Sequence, residues 1–279
     1  MVAIVTGAAS GIGKHFAGEL AARGFQLVLA DVNEEGLAAV FTPQSNTLLF
    51  HLDVRRAEQW TELITAALQR FGRIDYLFNI AGIIQPGFIA ETAVEWIDRH
   101  IDINAKGVMY GTKLVSEVMV KQRSGHIVNI ASLAGVAPIK GISFYSASKY
   151  AVRGFSLAAG YELRPHGVFV TVVCPDLVDT PMLDLQLNYP REAALTFSGP
   201  KRALQVSDIS RVLWRVMKDK PLEVMFPASR GWMARLGNLL PSLAHLLDAQ
   251  LTRKGLRRAK WLSGEGERVR LKANEVSPD

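Results

Sequence analysis

The sequence predicts a single doubly wound α/β domain on a mostly parallel seven-stranded sheet, followed by a C-terminal helical extension. Three observations point there. Short apolar runs alternate with amphipathic helical patterns up to Phe226, the order that gives strand–helix–strand units. Several of these runs are apolar without a break, as strands covered on both faces require. The first run passes through a turn with three glycines, Thr6-Gly7-Ala8-Ala9-Ser10-Gly11-Ile12-Gly13, into a helical pattern.

The elements follow in order. Strands are expected at residues 2–6, 26–30, 47–52, 74–79, 125–131, 167–173 and 222–226, each a short run rich in Val, Ile, Leu or Phe. Helices are expected at 13–23, 34–40, 56–71, 94–121, 146–164 and 208–218, where apolar residues recur at helical spacing. There is no internal repeat, low-complexity tract or Gly/Ser linker. Residues 1–229 therefore read as one body, with a segment at about 181–200 placed to cover a pocket, and residues 230–279 as a basic amphipathic extension of it.

At 279 residues and 49% apolar composition, the chain can bury a sizeable core. Its one cysteine, Cys174, excludes an intramolecular disulfide framework and fits a reducing compartment. Cys174 stands in an apolar run, so it reads as a small buried hydrophobe rather than a nucleophile. The first strand follows Met1 directly, without a basic leader or cleavage site. No window approaches ~18 uninterrupted apolar residues, which argues against a transmembrane helix. A cytoplasmic location is expected, with peripheral membrane contact as a variant. The formal charge of +6 is uneven, because residues 230–279 carry ten basic and five acidic residues. No recognised motif supports nucleic-acid binding, and no metal site is expected.

The glycine turn carries a chemical reading. Gly7 permits a tight turn, Gly11 lets backbone approach a ligand, and Gly13 lets the new helix pack close to the strand. The helix N-terminus then offers free N–H groups and a positive dipole end to a pyrophosphate. Asp31 ends the second strand about 20 residues on, where a carboxylate can bind a ribose 2′-hydroxyl. No Lys or Arg stands at Ala8, Ala9, Ser10 or Val32. A 2′-phosphate would lack a cationic partner there, so NAD is favoured over NADP.

A second constellation lies in Ser132 and Tyr145-Ser146-Ala147-Ser148-Lys149. Tyr145 and Lys149 are four apart and share one face if the helix starts at or before Tyr145. An ammonium beside a phenol favours phenolate, lowering a pKa normally near ~10, so Tyr145 could serve as base or acid. Ser132 follows the fifth strand at a carboxyl end, where its hydroxyl can hold a substrate oxygen.

Together, Thr-Gly-x-x-x-Gly-x-Gly at Thr6–Gly13, Asn79-Ile80-Ala81-Gly82 and Ser132 with Tyr-x-x-x-Lys resemble the short-chain dehydrogenase/reductase family over about residues 2–226. The resemblance implies a Rossmann-type domain and hydride transfer to or from a nicotinamide cofactor. It implies Tyr145 as catalytic acid/base, Ser132 as substrate-orienting, Lys149 as pKa-lowering and ribose-binding, and Asn104 as support for a water reaching Lys149. Cofactor contacts are implied at Gly7, Ser10, Gly11, Ile12, Gly13, Asp31, Asp53, Val54, Asn79, Ala81, Gly82, Tyr145, Lys149, Pro175, Val178 and Thr180. Asp53-Val54 would lie against the adenine; Asp53 could equally cap the helix starting near Arg56. Two positions depart from the family pattern. Ile80 replaces an Asn, and Asp176 replaces the Gly after Pro175. Asp176 could select a polar substrate group or cap a turn.

The segment from Pro181 to Pro200 carries Met182, Leu183, Leu185, Leu187, Tyr189 and Phe197. An apolar cover suggests an apolar substrate such as a steroid, retinoid or long-chain alcohol. Residues 230–262 join apolar residues at helical spacing with a basic cluster and Trp261. They could lie on an anionic membrane surface, cross the substrate pocket, or meet a partner subunit. The polar end from Ser263 is expected to fray. The leading expectation is an NAD-dependent enzyme interconverting an apolar secondary alcohol and its ketone. The alternative is a dinucleotide-sensing regulatory protein without significant turnover. A homodimer or homotetramer, through helices 94–121 and 146–164, is expected by fold analogy.

Overall fold

The computed structural model describes residues 1–199 and 202–274. Pro200, at the end of the expected cover segment, and residues 275–279 of the polar tail lie outside the described residues.

The apolar runs form seven strands: β1 (Val2–Thr6), β2 (Gln26–Asp31), β3 (Thr47–His51), β4 (Tyr76–Asn79), β5 (Gly125–Ile130), β6 (Val168–Pro175) and β7 (Glu223–Phe226). They pair in the order β3-β2-β1-β4-β5-β6-β7. Every pairing is parallel, so the sheet has no antiparallel strand. Burial explains the composition: all five residues of β1 are buried.

The helices lie between the strands. They are α1 (Gly11–Ala22), α2 (Glu34–Ala38), α3 (Ala57–Phe71), α4 (Glu95–His100), α5 (Gly107–Gln122), α6 (Ser143–Leu163), α7 (Pro181–Leu187), α8 (Ala194–Phe197) and α9 (Val206–Asp219). Three more follow β7: α10 (Ala228–Leu239), α11 (Pro241–Leu246) and α12 (Asp248–Asn274). The long helix expected at 94–121 is interrupted by a π-helical turn, Ile101–Lys106, between α4 and α5. Helix α12 continues past Ser263 to Asn274.

Two apolar layers flank the sheet. On one side Phe16 and Leu20 of α1 pack with Leu213 and Val216 of α9, and the Phe16 ring meets Phe78 edge-on at 5.0 Å. On the other, Trp60 and Leu63 of α3 pack with Val115 and Met119 of α5. Trp60 is fully buried and donates its indole N–H to the Val54 carbonyl at 3.1 Å. Burying each such side chain stabilises the fold by about 1.5–3 kcal/mol. Cys174 is buried on β6, and burial pushes its thiol up to about 12, as expected of an inert side chain.

β1 lies between β2 and β4, so the chain reverses its direction of travel across the sheet beside β1. In open parallel sheets the crevice at this reversal, outside the carboxyl ends of the strands, receives the ligand. Among the described residues no helix is long and apolar enough to cross a membrane, and no cluster of His, Cys, Asp or Glu could hold a metal ion.

Candidate active site

The crevice at β1 and β4 is held open by backbone. Thr6, the last residue of β1, accepts the N–H groups of Ile80 and Ala81 on its hydroxyl at 3.1 and 3.2 Å. This staples the end of β4 to the start of the glycine turn. Gly7 has φ +70°, and a Cβ there would stand 2.9 Å from the Ala81 backbone. A Cβ on Gly13 would overlap the Gly7 carbonyl. Both positions thus require glycine for close approach. Helix α1 then starts at Gly11 with Ser10 as N-cap, no side-chain cap bond and no acidic residue in its first turn. Its leading amides and positive dipole end suit a pyrophosphate. Thr180 closes this side, its methyl 3.3 Å from where a Gly11 Cβ would stand.

Asp31 sits at the rim. Its carboxylate accepts the Ala9 N–H at 2.9 Å and the Asn33 N–H at 3.0 Å, fixing it between the glycine turn and the end of β2. Val32 beside it is exposed and carries no charge. Asp53 does not cap α3, whose N-cap is Arg56. Arg55 instead folds back and closes on both Asp53 oxygens, and the guanidinium holds the carboxyl below its usual range. Val54 is buried against Gly107. Asn79 turns inward: its amide donates to Asn129 at 2.8 Å in a buried polar group with Thr112. Any ligand contact by Asn79 therefore falls to its backbone.

The second constellation lies at the end of β5 and on α6. Helix α6 begins two residues before Tyr145, so Tyr145 and Lys149 share its inner face, both buried. The Lys149 ammonium stands 5.7 Å from the Tyr145 ring centroid and donates to the Ile130 carbonyl at 2.9 Å. Ser132 leaves β5 in extended backbone and accepts the Ala134 N–H on its hydroxyl at 3.1 Å. The short turn that follows presses on α6, where a Cβ on Gly135 would stand 2.5 Å from the Lys149 carbonyl oxygen. Ser132 stands within hydrogen-bond reach of the Tyr145 phenol.

Burial, rather than the lysine, dominates the electrostatics of the chain alone. It pushes the Tyr145 phenol up to about 12, while a hydrogen bond from Ser132 works in the opposite direction. It pulls the Lys149 ammonium down to about 8. The expected lowering of Tyr145 by Lys149 is not observed, and desolvation sets the direction.

Asn104 lies on the π turn and is fully buried. Its carbonyl oxygen accepts the Ile83 N–H at 2.8 Å, and its amide donates to the Ile83 carbonyl at 2.9 Å and to Ser148 at 3.0 Å. A Cβ on Gly82 would stand 3.1 Å from the Asn104 carbonyl oxygen and 3.4 Å from the Lys149 nitrogen, so these groups bracket Gly82. A π turn at such a place is a frequent mark of functional sites.

One residue of the site was not expected from the sequence. His100 is fully buried with its ring edge-on to Tyr145, centroids 6.4 Å apart. It accepts the Gln85 N–H on Nε2 at 3.1 Å and bonds the Trp96 carbonyl through Nδ1 at 2.6 Å, and burial lowers its pKa. Its place four residues before Asn104 was the available signal, but only the fold brings it to Tyr145. Asp176 was expected to cap a turn or select a substrate group, but its long-range partner was not expected. It accepts the Leu177 N–H, as a turn residue would, and also pairs with Arg230 at 2.9 Å across 54 residues of sequence.

Around Tyr145 the walls are apolar. Ile84, Ala134 and Ile142 pack with it, and Met182 and Leu185 of α7 join from the cover segment. Over that segment runs α12, whose Ala259 is buried with Leu183 and Phe197.

Residues 1–188 match the family model described as short chain dehydrogenase. A 3-alpha-(or 20-beta)-hydroxysteroid dehydrogenase of Mycobacterium tuberculosis is 36% identical over 78% of this chain and 83% of its own. A solved short chain dehydrogenase/reductase from Burkholderia phymatum, in complex with NAD, aligns with a TM-score of 0.75 at 28% identity, covering 87% of this chain and 94% of that one. A structure described as ElxO with NADP bound aligns with a TM-score of 0.71 at 25% identity over 80% of this chain and 96% of that one.

Proposed function

This chain belongs to the short-chain dehydrogenase family and is an oxidoreductase of the alcohol–ketone type; from that premise we propose that it uses NAD to interconvert an apolar secondary alcohol and its ketone. The observation that carries this reading is the group of buried Tyr145 and Lys149 with half-buried Ser132 at the end of β5 and on α6, together with an α1 N-terminus that has no side-chain cap bond.

The residues fit a nicotinamide dinucleotide. The backbone at Gly7, Ser10, Gly11, Ile12 and Gly13 would hold the pyrophosphate, and Asp31 the adenosine ribose. Ala81 and Gly82 would line the ring side, Lys149 would meet the second ribose, and Pro175, Val178 and Thr180 would face the carboxamide. NAD is favoured because Asp31 has no cation beside it in sequence and Arg55 is already closed on Asp53. When bound, the nicotinamide supplies the site that takes or gives the hydride.

The chain's own part is proton transfer and orientation. With its pKa near 12, the Tyr145 phenol holds its proton at neutral pH and is set to donate it to a carbonyl oxygen. For alcohol oxidation it must first lose that proton, which the Lys149 charge favours. Ser132 holds the substrate oxygen in place. Both donor hydrogens of the Asn104 side chain are committed, so its part in any proton path falls to its backbone. The apolar walls from Ile84, Ile142, Met182 and Leu185 support a steroid-like or lipid-like substrate. Residues 181–200 act as its cover, and 230–279 as an extension of the one domain. Exposed Val94, Ile97 and Tyr161 on the helices expected to pair support a homo-oligomer.

The test is a fluorescence titration with NADH and NADPH, followed by Tyr145→Phe. The reading expects tighter binding of NADH, and a variant that binds it normally with kcat reduced by roughly 10³-fold. Tighter NADPH binding would overturn the cofactor assignment, and unchanged turnover the role of Tyr145.

A further inference from the structure

Helix α10 is docked on the body by its polar side. Arg235 pairs with Glu223, and the Asn238 carbonyl oxygen accepts the Tyr150 hydroxyl at 2.9 Å. Gly231 and Ala234 lie against the body as well. The opposite side carries Trp232, Met233, Leu236, Leu239 and Leu240, every one of them at least 54% exposed. Their spacing places them in one stripe along the helix. Leu246 and Leu247 carry the exposed apolar surface into α11 and the turn beyond it. A helix of a water-soluble body normally packs the other way round, and a contiguous exposed apolar patch marks a contact surface.

The following helix adds charge. Arg253, Lys254 and Arg257 stand on the exposed side of α12, opposite buried Gly255 and Ala259. Among the described residues no carboxylate lies within ion-pair distance of these three. With Gln250 and Arg258 they line an open groove of about 410 Å³. Between Arg230 and Leu262 the only acid is Asp248, and it is paired with Lys140.

We propose that α10, α11 and the exposed side of α12 dock on an anionic lipid surface. Trp and Leu side chains along one helix face can enter the headgroup–acyl boundary. Unpaired cations on α12 are attracted by the surface potential, each worth a few-fold in binding. The charge also argues against a second copy of this chain as the occupant. A two-fold contact through this face would set its unpaired cations against themselves. Docking would place a membrane directly over α12, the helix that covers α8 and the apolar segment beside Tyr145.

The full chain is tested by co-sedimentation with phosphatidylglycerol–phosphatidylcholine vesicles and with pure phosphatidylcholine vesicles. Two variants accompany it: Leu236→Glu, and Arg253→Gln with Lys254→Gln and Arg257→Gln. Binding to the anionic vesicles alone is expected, weakened roughly 100-fold in the triple variant and roughly tenfold in Leu236→Glu. NADH binding should be unchanged in both, which verifies that they are folded. Absence of binding to anionic vesicles, equal binding to neutral ones, or variants that bind like the parent would overturn the proposal. So would a Leu236→Glu variant that changes oligomeric state on gel filtration instead of vesicle binding, because the face would then be an interface between copies.

Discussion

Helices α1 and α10 are each twelve residues long and amphipathic, yet they meet the body in opposite senses. In α1 the apolar side, with Phe16 and Leu20, is buried against the sheet while Lys14 faces water. In α10 the body holds Arg235 and Asn238, and the apolar stripe faces out. Charge shows the same inversion. Lys149 is buried beside Tyr145, whereas Lys254 stands exposed on α12. Helical spacing therefore reveals that a face exists but not what it faces, and the partner of a face must be read from the packing.

The widest gap between the two helices is energetic. Phe16→Ala removes a fully buried ring that touches Phe78 and Trp214, and it should cost about 3–5 kcal/mol in urea unfolding. A cost below ~1 kcal/mol would mean that the α1 layer is not the core it looks to be. Gly13→Ala should cost about 1–3 kcal/mol or more, because its Cβ meets the Gly7 carbonyl, and it should abolish dinucleotide binding as well. A variant that folds and binds NADH normally would show that the turn accommodates a methyl group at residue 13.

The buried charge gives the next effect, of opposite sign for stability and activity. Burial lowers Lys149 from an ordinary value near 10.5 to about 8, which costs about 3 kcal/mol while it is charged in both states. Lys149→Met removes that cost but leaves the Ile130 carbonyl unpaired, a loss of about 1–3 kcal/mol. The variant should be as stable as the parent or about 1 kcal/mol more so at pH 7, with little turnover. The penalty is full below pH 8 and gone above 10.5, so the parent gains stability across that window and the variant does not. Denaturant midpoints at pH 7.5 and 10 decide it; a variant destabilised by several kcal/mol at pH 7.5 would mean that the ammonium supports the fold. Asp31→Ala comes next, with the NADH-over-NADPH preference expected to fall roughly tenfold, about 1.4 kcal/mol. An unchanged ratio would show that Asp31 does not choose the cofactor.

The legible parts were those fixed by local pattern. The seven strands fall within two residues of expectation, because apolar runs bounded by turns have few other places to go. Ser132, Tyr145 and Lys149 come together because a strand end and one helix face carry all three. What was not legible depends on distant partners or small backbone changes. The π turn at Asn104 shifts the ladder by one residue without a breaker in the sequence. His100 reaches Tyr145, and Asp176 reaches Arg230, only through tertiary packing. The pKa of Tyr145 depended on burial, which spacing to Lys149 does not report.

The smallest effect tests the inversion most directly. Leu240 is about half exposed, so Leu240→Gln should change the unfolding free energy by less than ~0.5 kcal/mol. An equally apolar residue on α1, Leu20, is fully buried, and Leu20→Gln should cost several kcal/mol, from lost packing and an amide without a partner. If Leu240→Gln proved comparably costly in the isolated chain in solution, the outward stripe would already be covered there, and a contact between copies would replace lipid as its occupant. If it is neutral in solution yet weakens vesicle binding, the stripe contributes nothing to the fold, and its apolar character belongs to the surface it meets.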